Sequence, residues 1–130
     1  MAVVMILGRV TGMAPMPAPI PVAIIGKIFG AGLPKPFLML MAVISHLAYG
    51  GFWGWVLWRV TKRVTLWNAL ALGGIMWLIM QIIVLPFLGW GVFGVAITPK
   101  IAVATFVLHM IYGGTLGWLG TRKVDALKTA

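Results

Sequence analysis

The sequence predicts an all-α integral membrane protein, and its composition together with the length of its uncharged stretches carries that prediction. Of the 130 residues, 62% are apolar and 8% are charged. A soluble domain is usually about 25% charged, so this chain has too little polar surface to cover a globule in water. Four long uncharged stretches separate the charges, and a spanning helix requires about 20 mainly apolar residues. We therefore predict four membrane-crossing segments.

Three of these segments are predicted from their lengths and from one proline. Two uncharged stretches fit one span each, which places helices at Phe37 to about Trp58 and at Ile101 to about Gly120. The stretch between them, 64–99, is too long for one straight span and contains Pro86. Proline removes a backbone donor and clashes with the preceding turn. We therefore predict a helix from about Trp67 to Leu85, a kink at Pro86 and a short further piece.

The first segment is broken by a proline-rich run. Prolines alternate with other residues at Pro15, Pro17, Pro19 and Pro21. Each one disfavours a helical turn, so the run is predicted to be extended, and in hydrocarbon such a backbone must be covered by protein or line a cavity. We expect an N-terminal helical piece, the proline-rich crossing, and a short helix from about Val22 to Leu33.

The ten cations predict topology and lipid contacts rather than nucleic-acid binding. They stand singly or in short clusters between apolar stretches, whereas a nucleic-acid partner requires one solvated basic face. With four crossings, one side carries Lys27, Lys35 and Lys100, and the other carries Arg9, Arg59, Lys62, Arg63, Arg122, Lys123 and Lys128. The richer side is cytoplasmic by the positive-inside rule. This predicts a multi-pass protein with both termini in the cytoplasm and with anionic lipid head groups as partners there.

An internal repeat predicts a tandem duplication. The ten residues from His46 to Trp55 match those from His109 to Trp118 at six positions, which include every His and Tyr of the chain. The units would be 1–63 and 64–130, each with two spans. Both units then insert in the same orientation, so we expect a pseudo-two-fold axis along the membrane normal.

Each copy of the repeat predicts a helix face built from one histidine and small residues. Residues three and four apart share a face of a helix. The two faces are His46, Gly50 and Gly54 in the first copy, and His109, Gly113 and Gly117 in the second. Small residues let membrane helices approach closely. We therefore expect these glycines to be packing positions, where the two faces contact each other across the axis.

The two histidines and one glutamine are the polar side chains predicted near mid-membrane. The imidazoles of His46 and His109 either hydrogen-bond to neighbours, or ligate haem b axially or a chlorin each, or belong to a proton or solute path. In the ligand hypothesis the site is lined by Gly50, Gly113, Tyr49 and Tyr112. The cofactor itself stays unknown. Gln81 is expected to hydrogen-bond across a helix interface.

The residue inventory excludes several classes of chemistry. The chain has no Cys and a single acidic residue, which excludes disulfides, thiolate chemistry and paired-carboxylate catalysis. No set of nucleophile, base and orienting group is present at any spacing. We expect a small non-catalytic subunit of a larger membrane complex, with other membrane subunits as partners. A redox or photosynthetic complex is one setting that suits the paired His. The alternatives are a haem- or chlorin-binding electron-transfer protein and a small channel or transporter.

Overall fold

A computed structural model describes residues 16–30 and 32–128, with side chains as far as Arg122. Its elements are α1 (Ile20–Phe29), α2 (Lys35–Thr61), α3 (Leu66–Phe87) and α4 (Lys100–Lys128), with no strand in the described ranges. Lys35–Thr61, Leu66–Phe87 and Lys100–Arg122 are three helices long and apolar enough to cross a membrane. The all-helical class is thereby confirmed, with three candidate spans of a multi-pass membrane protein.

Helix α1 follows the proline-rich run and is too short to be a span. Residues 16–19 are non-helical, while Pro15 lies outside the described residues. Pro21 stands in the first turn of α1, where its missing N–H has no helical partner to lose. Gly30, at φ +84°, follows the helix, so α1 ends before the predicted Leu33. Its 10 residues extend about 15 Å, roughly half of the hydrocarbon thickness.

The proline-rich run is covered only in part. Pro19 is half-buried and Ile20 is buried, whereas Pro17 is exposed. The preceding Met16 packs against the main apolar cluster. The predicted first crossing would require residues before Met16, which lie outside the described part of the chain.

Helix α2 is a long uninterrupted helix that begins and ends at recognisable signals. Pro34 precedes it and Pro36 occupies its first turn, as expected of a residue that needs no N–H partner there. At the other end Lys62 adopts a left-handed conformation, φ 56°, and donates its N–H to the Trp58 carbonyl. The predicted span from Phe37 to Trp58 lies inside this helix, which is longer at both ends.

Helix α3 is continuous, and the predicted kink at Pro86 takes the form of a widened turn. Thr65 and Asn68 form a capping box at its start. The turn Met80–Val84 is π-helical, and the Leu85 N–H donates to the Met80 carbonyl. The Pro86 ring would press on the carbonyl four residues earlier in a regular helix. Widening the preceding turn relieves that clash, and the helix ends at Phe87.

Helices α3 and α4 form an antiparallel hairpin, and α2 runs parallel to α4. Glycines bring the backbones of α3 and α4 close together along their length, from Gly73 beside His109 to Gly120 beside Val64. The main apolar cluster contains Ile20, Met80, Leu85 and Ile101. It lies where the start of α1, the end of α3 and the start of α4 meet. Neighbouring spans alternate in direction, so the corresponding residues of α2 and α4 lie at the same depth.

Candidate functional site

The two histidines lie at the interface of the parallel helices α2 and α4. His46 and His109 are both half-buried. A Cβ on Gly50 would contact the Tyr112 ring, and this contact sets the register of the two helices. His46 and Tyr49 on α2 therefore stand at the same level as His109 and Tyr112 on α4.

The two imidazoles differ in how they are held. His109 hydrogen-bonds through Nδ1 to the Thr105 carbonyl, 2.8 Å away and one turn earlier in α4. Because a carbonyl only accepts, Nδ1 must carry the proton, and Nε2 keeps its lone pair for a ligand or a donor. Within the described residues His46 has no hydrogen-bond partner. One imidazole is therefore oriented by its own helix and the other is not.

Side chains of α4 fill the glycine row of α2. The Tyr112 hydroxyl donates to the Gly50 carbonyl, and a Cβ on Gly50 would lie 3.5 Å from the Tyr112 ring. One turn on, a Cβ on Gly54 would lie 3.4 Å from a methyl group of Leu116. Tyr49 stands at the edge of this contact, with its ring centroid 6.2 Å from that of Trp53.

The glycine row of α4 lies against α3, which corrects the expected face-to-face packing of the two rows. A Cβ on Gly113 would lie 2.6 Å from the Ala69 carbonyl oxygen, and a Cβ on Gly117 would lie 2.6 Å from Leu66 Cα. Both glycines are buried. The connection between α2 and α3 is short, and α3 runs the full length of a span. Helix α3 is therefore the helix that packs against this row. Gly113 therefore does not line the space between α2 and α4.

This packing limits the space for a flat cofactor between the glycine rows. Glycine rows were expected to leave space beside the histidines, yet the space at Gly50 holds the Tyr112 phenol and that at Gly54 holds Leu116. A macrocycle between the glycine rows would require Tyr112 to give up its bond to Gly50. The four polar side chains and Gly50 thus form one cluster at the same level of α2 and α4, and Tyr112 and Leu116 occupy the space beside Gly50 and Gly54.

A second polar cluster lies in the α3–α4 interface. Gln81 is 0% exposed and donates through Nε2 to Thr105 Oγ1 at 3.0 Å, so the expected bond across a helix interface is confirmed. Thr105 Oγ1 donates in turn to the Ile101 carbonyl at 2.7 Å. The indole N–H of Trp77 donates to the Ala102 carbonyl at 3.0 Å. The spacing of Trp77 and Gln81, four residues apart, is the sequence signal that could have joined Trp77 to this cluster.

One atom of the second cluster remains unpaired. Gln81 Oε1 is buried without a hydrogen-bond donor among the described residues. The amide stands in the π-helical turn Met80–Val84, and its other end is bonded to Thr105 on α4. The Gln81–Thr105 hydrogen bond therefore links α3 to α4, while the carbonyl end of the Gln81 amide has no partner among the described residues.

No group of three or more His, Cys, Asp or Glu side chains that could hold a metal ion occurs in the described part of the chain. Comparison of the chain with protein-family models, curated proteins and solved structures gives no match. The function is therefore argued from the chain's own residues.

Proposed function

We propose that this chain is a small non-catalytic subunit of a larger membrane complex. The observation that carries the proposal is the uncovered state of α2. In the most apolar window of each span, 6% of residues are buried in α2, against 33% in α3 and 22% in α4. Helices α3 and α4 cover each other, whereas α2 presents most of its length outward.

One polar group on α2 supports a protein neighbour there. His46 stands near mid-span without a hydrogen-bond partner among the described residues. Hydrocarbon offers no hydrogen bonds, so an unpaired polar group at this depth costs free energy. A neighbouring subunit that supplies a partner to His46 removes the cost.

The finer architecture belongs to the same proposal. The chain is a tandem duplication of units 1–63 and 64–130, with a fourth crossing completed by residues before Met16. The parallel course of α2 and α4, with Gly50 beside Tyr112, supports the same orientation of the two units in the membrane. At the Arg59 end of the spans lie six cations and at the Lys35 end three. By the positive-inside rule the C-terminus faces the cytoplasm, and four crossings place the N-terminus there as well.

Native mass spectrometry of the chain released directly from its own membranes tests this proposal. The expected spectrum shows the 14.0 kDa chain bound to at least one different polypeptide. Ala48→Trp, on the open face of α2, is expected to release the chain. Ile111→Trp is the control, because Ile111 is the repeat counterpart of Ala48 and is also exposed. A chain found alone, or bound to copies of itself only, would overturn the proposal.

A second candidate function is binding of haem b or a chlorin for electron transfer, and the His109 geometry favours it. A ligating histidine usually donates its other ring N–H to a carbonyl or carboxylate, as His109 does to Thr105. His46 lies at the same level on the parallel helix α2, since Gly50 and Tyr112, one turn further along each helix, are in contact. Against it stands the Tyr112 phenol in the adjoining space.

The visible spectrum of the purified protein separates the two functions. A six-coordinate, low-spin haem requires both imidazoles, so His46→Ala and His109→Ala should each abolish the low-spin spectrum. Tyr49→Phe is the control, since it changes the same cluster without removing an imidazole. A colourless protein that leaves the spectrum of added haemin unchanged would rule the haem function out. Absence of long-wavelength absorption would do the same for a chlorin.

A further inference from the structure

A basic corner forms where the connection between α2 and α3 meets the end of α4. We define it by Arg59, Lys62, Arg63 and Arg122. A Cβ on Gly120 would lie 2.6 Å from the Val64 carbonyl oxygen and 2.7 Å from Val64 Cβ, so α4 is in tight contact with the connection at this point. Arg63 directly precedes Val64, and Arg122 follows Gly120 by two residues. The contact therefore gathers cations from two separate parts of the chain.

The backbone of the basic corner is fixed while its side chains point outward. Thr61 Oγ1 and Asn68 Nδ2 both donate to the Arg63 carbonyl, at 2.6 Å and 2.8 Å. Lys62 caps α2 through its N–H. The side chains of all four corner cations are exposed. The backbone that carries these cations is already ordered, so binding a ligand there costs no further backbone conformational entropy.

Tryptophans place the basic corner at the level of the lipid head groups. The Arg122 guanidinium lies 4.2 Å from the centre of the Trp118 ring, and that of Arg59 lies 5.6 Å from Trp55. Trp67, four residues after Arg63 at the start of α3, is 81% exposed. Exposed Trp is enriched at membrane–water interfaces. A guanidinium stacked on a ring keeps its N–H groups available for bidentate contact with a phosphate.

The basic corner carries a net positive charge. No carboxylate occurs among the side chains that the structure describes, and the chain's one acid, Asp125, stands against six cations at this end of the spans. Position at the interface, fixed geometry and net positive charge together favour a ligand that carries phosphate and lies in the membrane. We infer that the basic corner binds the phosphate head group of an anionic phospholipid, with Trp67 against its glycerol and upper acyl region.

Lipid titration of the full, delipidated chain in detergent tests this inference, with bound lipids counted by native mass spectrometry. The probes are phosphatidylglycerol and phosphatidylcholine of equal chain length. The triple variant Arg59→Gln, Arg63→Gln, Arg122→Gln should bind phosphatidylglycerol about tenfold more weakly than the unchanged protein. The control, Lys27→Gln, Lys35→Gln, Lys100→Gln, removes the same charge from the opposite side and should change binding less than about twofold.

Three results would overturn the inference. Equal losses in the two triple variants would mean that total charge decides lipid binding. Equal affinity of the unchanged protein for both lipids would mean that the net negative charge of the head group is not recognised. Displacement of phosphatidylglycerol by inorganic phosphate at matched concentration would identify a soluble anion as the ligand. If the triple variant loses its helicity, Arg63→Gln alone decides the question: weaker phosphatidylglycerol binding supports the inference and unchanged binding overturns it.

Discussion

The two copies of the repeated motif share six of ten residues and yet have different neighbours. In α4 the glycines lie against the backbone of α3, with Gly113 beside Ala69. In α2 the glycines receive side chains from α4, with Gly50 under Tyr112. A row of small residues therefore permits another part of the chain to approach closely but does not determine which part packs there. The helix that precedes each copy determines what packs against its glycines.

The lengths of the preceding helices explain this difference. Helix α3 has 22 residues and runs along α4 far enough to reach both glycines of the row. Helix α1 has 10 residues and extends about 15 Å, so it ends before it can cover the same positions of α2. Among the described residues, α3 and α4 of the second unit thus cover each other, whereas most of α2 in the first unit is exposed.

The largest expected effect is the difference in stability between alanine substitutions at Gly113 and at Gly50, the corresponding glycines of the two copies. Gly113→Ala puts a Cβ 2.6 Å from a backbone oxygen, whereas Gly50→Ala puts one 3.5 Å from the Tyr112 ring. Overpacking of this kind costs about 1–3 kcal/mol, so we expect that loss for Gly113→Ala and a change within about 0.5 kcal/mol for Gly50→Ala. Unfolding in mixed micelles, followed by circular dichroism, measures both. Gly114→Ala, which meets no atom within 4 Å, is the control. Equal losses at Gly50 and Gly113 would contradict the different packing of the copies.

A smaller effect is expected at the polar bond within the α3–α4 hairpin. Thr105→Val removes the partner of Gln81 Nε2 and leaves both polar ends of a buried amide unpaired, which costs about 1–2 kcal/mol. Gln81→Leu removes the unpaired oxygen along with the bond, so its cost should be smaller, within about 1 kcal/mol. The same unfolding assay ranks the two variants. The reverse order would show that Gln81 Oε1 has a partner in the membrane.

The smallest of these effects concerns the hydrogen bond that joins α2 to α4. Tyr112→Phe removes the donor to the Gly50 carbonyl, and hydrogen bonds between membrane helices average about 0.6 kcal/mol. Its repeat counterpart Tyr49 makes no such bond among the described residues, so Tyr49→Phe should leave stability unchanged. Equal losses of stability in Tyr112→Phe and Tyr49→Phe would mean that the two copies are equivalent at this position, which would contradict their different packing.

The sequence was sufficient for features that depend on local physics. Apolar length predicted α2 and α4, and the missing N–H of Pro86 predicted an interruption that the structure realises as the π-helical turn Met80–Val84. The alternating prolines predicted a non-helical run from Pro15 to Pro21. Residues 16–19 are non-helical as predicted, whereas Ile20 and Pro21 already belong to α1. A buried amide without a local partner predicted the bond of Gln81 across an interface.

The sequence did not predict which helices pack together, because a row of small residues permits close approach by any neighbouring helix. Gly50 and Gly113 look alike in the repeat, and nothing in their spacing says that α3 will take the second while Tyr112 fills the space at the first. The short length of α1 was also hidden, since an apolar stretch continues to Leu33 and only the left-handed Gly30 ends the helix.

Photo-cross-linking in native membranes tests most directly the claim that α2 is open for a partner and α4 is not. A diazirine amino acid is placed at Ala48 or at its repeat counterpart Ile111, both of which are exposed. The account predicts a discrete adduct with a different polypeptide from position 48, and from position 111 a chain that stays at 14.0 kDa apart from attached lipid. Identical results from the two positions, whether adducts from both or from neither, would contradict it.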